Sequence, residues 1–435
     1  MLTRISTSLF LVVTSLGGVA SANAFFLNEH DAKSNGRAGA STASDTDASS
    51  VIYNPGGIPV AEGVQVSVNG TLYVAQGSYE PEGGGAKVTT DSSPQLAPSV
   101  FATARVHDMI AVAVGFHAPF GLAVSYPDHH PQATVIQDQS LRAYEISAGV
   151  GINLGKFVPG LSFGGGVDLV PATVKLVKEV DFGDTTGTAT LGGNAFGVGG
   201  RAGVMYRPEA LKMLKLGAMW RSAMTLDFDG KGDFDIAQPY RDQLPPDGAI
   251  TTTVNLPMAF DGGVAVNPIP QLELELDVMW QQWDKFKTLT INLPGGSQSV
   301  SPENYKNTTT IRIGAEYALT KEAAVRLGFI WDPTPIPTTT QTAQLPDVDR
   351  IDLTIGGSYA FGNGLSLHAS VLGVLPRTRQ TSDVQYMPAY KGTFGAEAIV
   401  GSLMLSYAFD PMGRTQQPSP AMTQTSPART PLASK

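Results

Sequence analysis

The chain has 435 residues, enough for one large domain or two ordinary ones, with a formal net charge of −9, a charged fraction of 15%, 48 glycines and no cysteine. The acidic balance argues against nucleic acid as a partner, the plentiful apolar residues argue against a disordered chain, and the lack of cysteine removes disulfides as a source of stability. Mean hydropathy is close to zero and the apolar residues are not in blocks, so their spacing is the informative signal.

The first residues read as an export signal. Arg4 is followed by an apolar run from Ile5 to Val19 and by Ala22-Asn23-Ala24, an A-x-A cleavage pattern; residues 1–24 are the expected signal peptide and the mature chain starts at Phe25. No later stretch offers about 18 consecutive apolar residues, so a transmembrane helix is not expected. From Phe25 to Gly63 the chain is rich in Gly, Ala, Ser and Asp and lacks alternation, a composition that suits a disordered tail or an ordered plug alike. Asn54-Pro55-Gly56-Gly57 favours the plug. Proline fixes its own backbone angle and pushes Asn54 toward extended geometry, while the glycines permit conformations closed to other residues.

Beyond residue 63 the apolar spacing is two. In QLELELDVMWQQW, Leu272, Leu274, Leu276, Val278 and Trp280 fall on one face of a strand, and Glu273, Glu275, Asp277 and Gln281 on the other. Such segments lie at roughly 64–74, 99–106, 110–123, 141–154, 161–180, 195–207, 213–229, 250–267, 271–290, 308–319, 322–332, 350–361, 364–375 and 393–409, about fourteen in all. In a soluble sandwich the apolar faces would meet in a core; in an outer-membrane barrel they meet lipid and the polar faces line the lumen. Periodicity alone leaves both open. Strand lengths near ten residues, an even strand number and aromatic residues near strand ends (Tyr73, Trp220, Trp280, Trp283, Trp331, Tyr359, Phe361, Tyr407, Phe409) favour the barrel. Short connections such as 107–108, 267–270, 320–322 and 362–364 suit periplasmic turns. Longer ones such as 75–98, 230–249 and 333–349 suit outside loops.

The segment FFLNEHDAKSNGRAGASTASDTDASSVIYNPGGIPV, with Gly36-Arg37-Ala38 and Asn54-Pro55-Gly56, resembles the N-terminal hatch of the long-chain fatty acid outer-membrane transporter (FadL) family, which includes aromatic hydrocarbon transporters. The resemblance continues through MWRSAMTLDFDG, VNLPMAFDGGV, VMWQQWDKF, NYKNTTTIRIGAEYAL, RLGFIWDPTPIP and LPDVDR to GSLMLSYAF, covering residues 25–409. It implies an all-β fold: a transmembrane antiparallel barrel of about fourteen strands over 64–409, with residues 25–63 as a hatch in its lumen. It also implies a monomer in the outer membrane of a Gram-negative bacterium, in contact with outer-membrane lipid and lipopolysaccharide and using no cofactor. The implied function is passive uptake of hydrophobic small molecules, foremost long-chain fatty acids, with neutral aromatic or aliphatic hydrocarbons as the alternative and a general porin as the competitor.

In the family the solute leaves sideways at an inward kink of the third strand. Here that strand reads IAVAVGFHAPFGLAVSY, in which Pro119 removes a ladder donor and Gly115 and Gly121 weaken pairing. Ala118, Pro119, Phe120 and Gly121 are therefore the expected kink, with the Asn54–Pro55 turn packed beside it. Phe25 aligns with the position that reaches into the inner pocket, and Lys178 and Lys306 fall near positions where the family holds an acid head. Where the family has Asn-Pro-Ala, this chain has Gly56, so Gly56→Ala is expected to be tolerated and Asn54→Ala not.

Other motifs carry less. His129 and His130 beside Asp128 lack metal-ligand spacing, and FGGGVD and LGGNAFGVGG lack the helix that a phosphate site needs. Asp347, Asp349 and Arg350 read as a structural ion pair. None of the six histidines stands in a recognisable serine-hydrolase setting, so enzymatic activity is not expected. Residues 410–435, rich in Pro, Thr, Ser and Gln, read as a disordered periplasmic tail.

Overall fold

In the computed structural model, which describes residues 24–238, 240–381 and 391–410, the alternating runs form the wall of a barrel. Its strands are β1 (Val64–Pro81), β2 (Gln95–Arg105), β3 (Ile110–Ser125), β4 (Asp138–Asn153), β5 (Leu161–Asp181), β6 (Thr186–Tyr206), β7 (Leu214–Arg221 continuing as Met224–Asp235), β8 (Gly248–Leu256 continuing as Ala259–Ile269), β9 (Leu272–Gln281), β10 (Thr308–Ala318), β11 (Ala323–Asp332), β12 (Arg350–Gly362), β13 (Leu365–Gln380) and β14 (Gly392–Phe409). Neighbours in sequence pair antiparallel, and β14 returns to β1 from Val64↔Phe409 to Pro81↔Gly392, which closes the barrel. Of the expected signal peptide (1–24) and tail (410–435), residues 1–23 and 411–435 lie outside the described residues.

Burial runs opposite to that of a soluble sheet. On β9, Leu276 is 45% exposed while Asp277 is fully buried; on β10, Ile313 is exposed while Arg312 is buried. Apolar side chains on the outside are stable only against lipid, and the polar faces line the interior. Short connections (106–109, 154–160, 207–213, 319–322) gather at the end that holds Val64 and Phe409, and the long ones (126–137, 282–307, 333–349) at the other. Exposed Tyr317, Tyr359, Phe361, Tyr407 and Phe409 form a girdle at the short-turn end. Two expected girdle members face inward instead: Tyr73 and Trp283 are buried. The expected strand over 271–290 stops at Gln281, because Trp283 turns into the interior on a single 3-10 turn (Trp283–Lys285), and an outside hairpin, Thr288–Asn292 with Gln298–Pro302, follows.

Residues 24–63 run through the lumen, nearly all buried. Helix α1 (Ala32–Asn35) is capped by Asp31, whose carboxylate accepts from the N–H groups of Lys33 (2.7 Å) and Ser34 (3.0 Å). Helix α2 (Ser50–Tyr53) leads to a 3-10 turn over Pro55–Val60. Asn54 caps that turn by accepting from Gly56 N–H (2.9 Å), with Pro55 at its first position, where a missing N–H costs nothing. The acidic face of β9 is the rail on which this segment docks. Arg37 donates to Glu273 (3.0 Å) and to Glu275, while Asp277 accepts from Ser41 N–H (2.8 Å) and Thr42 N–H (3.0 Å), and Glu275 from Ala43 N–H (2.7 Å). Further along the wall, Arg201 of β6 donates to Ile52 O (2.9 Å) and is itself held by Asp168 (2.9 Å) and Glu145.

The Asn54–Pro55 turn packs against β5 and β6, not beside the third strand's kink as expected. Asn54 Nδ2 donates to Thr42 O (2.6 Å) and Val204 O (3.1 Å), and Ser162 Oγ donates to Gly56 O (2.6 Å). The turn fits there because glycines of the wall, Gly164 against Pro55 and Gly203 against Asn54, leave no side chain in its way. The expectation that Gly56→Ala is tolerated is also overturned. A methyl group on Gly56 would sit 2.7 Å from Met205 N and Val204 C, atoms of a wall strand that cannot rotate aside. Gly56→Ala should therefore cost about 1–3 kcal/mol by overpacking. Asn54→Ala, which loses three hydrogen bonds, two of them buried, should cost about 2–4 kcal/mol. Urea titrations of hatch accessibility to limited proteolysis check both, each variant being digested at lower urea than the wild type.

Candidate functional site

The third strand carries a built-in irregularity. Between His117↔Glu145 and Phe120↔Ala143, β3 advances three residues while β4 advances two, so one extra residue bulges at Ala118–Pro119. On the other side, pairing with β2 ends at Val100↔Phe116, and the rest of β3 has no partner in β2. The hatch occupies that vacant edge. Leu27 N–H donates to Pro119 O (2.8 Å), Gly121 N–H donates to Phe25 O (3.0 Å), and Phe26 bridges Phe120 antiparallel. The structure thus brings Phe25–Leu27 together with Pro119, Phe120 and Gly121, whereas Asn54, Pro55 and Gly56 pack on β5 and β6.

Phe25 faces both ways. Its ring packs on Phe120 (6.1 Å between centroids), Trp283 (5.0 Å, edge-on) and Phe286 (6.2 Å, edge-on). It also forms part of the lining of a cavity of about 120 Å³ at the long-loop end of the barrel. Apolar side chains from many strands line this space, among them Leu141, Leu191, Phe228 and Val254, together with Phe286, Tyr305 and Ile336 from the outside loops. Neither Lys178 nor Lys306 lines it. Lys178 is half-buried near the outer end of β5, and Lys306 is exposed on a loop, where its N–H donates to Pro335 O (2.9 Å).

Inside the bulge lies a second, smaller cavity of about 40 Å³, bounded by Phe26, His30, His117, Pro119, Arg201 and Arg221. Buried Arg221 places its guanidinium 4.9 Å from the ring centres of both Phe26 and Phe120, so one cation spans hatch and kink. The rings of His30 and His117 meet at 4.5 Å. Burial first, then the neighbouring His117, holds the His30 imidazole well below its ordinary value, so it stays neutral. Arg221 has a signal in the sequence: with Lys215, Gly217 and Met219 it shares one face of the strand Leu214–Arg221.

The LPDVDR loop does form ion pairs, with a different membership. Arg350 meets Asp332 (3.2 Å) and Asp352 (3.4 Å) instead of Asp347 or Asp349. Asp347 accepts from the N–H of Ala24 (3.2 Å), the last residue of the expected signal peptide, and burial pushes its carboxyl up to about 7. The adjacent histidines diverge: His129 bonds Glu179 (2.7 Å) and His130 bonds Ile136 O (2.6 Å).

The family described as outer membrane protein transport protein (OMPP1/FadL/TodX) matches residues 13–409 of the chain. The long-chain fatty acid transport protein of Escherichia coli (strain K12) is 24% identical over 409 residues, covering 84% of this chain and 90% of that protein. Outer membrane protein P1 of Haemophilus influenzae (strain ATCC 51907 / DSM 11121 / KW20 / Rd) is 23% identical over 403 residues, covering 80% and 85%. Among solved structures, a Pseudomonas aeruginosa FadL homologue superposes with a TM-score of 0.79 at 16% identity, covering 89% of this chain and 100% of that one. The toluene transporter TodX of P. putida gives 0.71 at 19% identity, covering 88% and 99%. These likenesses show that the fold is shared.

Proposed function

The chain belongs to the outer membrane protein transport protein family, and from that premise we propose that it admits hydrophobic small molecules passively through the outer membrane. The observation that carries this reading is the double placement of Phe25, at the edge of an apolar cavity and against the bulge of β3. A solute that enters from the long-loop end displaces Phe25 to go further. Displacing Phe25 loosens the two hydrogen bonds and the bridge that hold Phe25–Leu27 on the vacant edge of β3. The way that then opens lies sideways between β2 and β3, toward lipid, where an apolar solute is stable. The relatives named for fatty acids and for toluene support an apolar body as the common feature of the ligand.

A general porin instead needs an open polar lumen, and here the hatch fills it. Uptake of a labelled hydrophobic solute by transporter-deficient cells, beside single-channel recording in planar bilayers, tests the reading. Uptake at least fivefold over the vector background without large steady currents is the expected result; steady porin-like currents with background uptake would overturn it.

A further inference from the structure

The wall carries a second irregularity, away from β3. From Asn194↔Asp229 to Arg201↔Arg221, β6 advances seven residues while β7 advances eight, and residues 195–199 of β6 have no ladder partner in β7 among the described residues. Ser222 spans the edge of this gap: its N–H donates to Gly200 O (2.8 Å) and its hydroxyl accepts from Gly200 N–H (3.0 Å). β7 breaks there, between Arg221 and Met224, and β8 breaks beside it at Pro257–Met258. The two strands leave β6 together, since they stay paired with each other from Met224↔Leu256 to Gly232↔Gly248. On its other flank β6 keeps its pairing with β5, Gly197 standing opposite Val170.

Side chains, not backbone, close this seam. A methyl group on Gly197 would lie 2.5 Å from Met224 Sδ and 2.7 Å from Leu226 Cδ2, and one on Gly199 would lie 2.6 Å from Met224 Cε. The ends of Met224 and Leu226 therefore occupy the space that the glycines of β6 leave empty. Both belong to the buried apolar cluster that holds Phe25, Phe120 and Leu141, and Phe228, two residues on from Leu226, lines the larger cavity. On the outer face of the seam, Phe196 and Val198 of β6 are 60% and 61% exposed. The β7 side of that mouth is polar: Thr225 and Asp227 are exposed, and Asp227 accepts from Thr253 Oγ1 (2.7 Å). An apolar path thus runs from the cavity to Phe196 and Val198, interrupted by two flexible side chains.

We propose that the seam between β6 and β7 is a second sideways passage for hydrophobic solutes, gated by rotation of Met224 and Leu226. It is reached from the larger cavity along Phe228, so Phe25–Leu27 stays on β3 while a solute passes. The inference rests on the uptake reading above and adds a route to it. Two buried side chains make the seam narrow, and it carries the smaller share of the flux.

The test closes β3 reversibly. Phe26 and Phe120 face each other in an antiparallel bridge. Opposite Cα atoms in such a pair stand about 4.5–5.5 Å apart, within disulfide reach. The chain has no cysteine of its own, so Phe26→Cys with Phe120→Cys gives one bridge, verified by loss of thiol labelling. Uptake of labelled n-dodecane is measured in transporter-deficient cells that express the full chain, with the pair oxidised and then reduced. Oxidation should lower uptake about tenfold and leave a remainder at least threefold above the vector background. Adding Gly197→Val, which fills the seam, should bring the oxidised remainder down to background. In the reduced pair the same substitution should cost no more than about a fifth of the uptake, a loss too small for a barrel that failed to assemble. Gly199→Ala takes its place if that variant does not reach the membrane. An oxidised pair at the vector background, or a remainder that neither filling variant lowers, overturns the second passage while the uptake reading stands. Background rates in wild type and in the reduced pair overturn the uptake reading and this inference with it.

Discussion

Replacing Arg37 with alanine is expected to convert a closed barrel into one that passes ions. Arg37 is buried, and its guanidinium is the nearest positive charge of the hatch to the two carboxylates Glu273 and Glu275 on β9. Lys215 reaches only Glu273, so without Arg37 the Glu275 carboxylate stays buried beside Asp277 with no ion-pair partner among the described residues. Removing one partner of a buried pair costs about 3–5 kcal/mol, because the other charge is left uncompensated. That exceeds what a hatch segment of small residues recovers by packing, so the segment from Arg37 to Ala43 should leave the rail. Single-channel recording should then show frequent long openings absent from the wild type, while the barrel still assembles. Arg37→Ala combined with Glu275→Gln should close the channel again in part, since the neutral amide still accepts from Ala43 N–H. Unchanged conductance in Arg37→Ala would show that the hatch is held by other contacts.

Deleting Pro119 is the second large effect. The deletion removes the extra residue of β3 and restores one-to-one pairing with β4 through Ala118 opposite Tyr144. A straight β3 can extend its ladder with β2 past Val100↔Phe116, and the edge that Phe25–Leu27 occupies disappears. Uptake of n-dodecane should fall at least tenfold with heat-modifiable gel migration unchanged. Uptake equal to wild type in an assembled variant would remove β3 from the proposed route. Pro119→Ala is the milder case: it returns an N–H donor but keeps the extra residue, so its uptake should fall by no more than about threefold.

Much of the site was legible, and unevenly so. Ala118-Pro119-Phe120-Gly121 stood out because a proline inside an alternating run demands an irregular strand, and the bulge lies there. Phe25 was reached through resemblance, and the structure gives it physical neighbours. The partner of the kink was misjudged. Asn54 and Pro55 announce a rigid turn, but nothing in a local motif says which of fourteen strands it touches; wall glycines 164 and 203, far away in sequence, decide that. Gly56 was misread for the same reason, as its close approach to Val204 and Met205 is a long-range contact. Trp283 was assigned to the girdle because a tryptophan after an alternating strand suits an interface. Turned inward, its ring packs on Phe25, some 250 residues earlier in the chain, and on Tyr305.

By itself the sequence determined the number of wall strands, the two ends of the barrel and which face of each strand is polar. Those properties follow from period-two patterning and turn chemistry, which act over a few residues. It did not determine which solvent the apolar faces meet, since a sandwich and a barrel share one periodicity. Nor did it determine what the acidic face of QLELELDVMW is for. Closure of β1 on β14 settled the first, by leaving apolar side chains outside and carboxylates within. The lumen settled the second: burying Glu273, Glu275 and Asp277 requires compensating donors, and only the folded hatch delivers Arg37 and the N–H groups of Ser41, Thr42 and Ala43 to them.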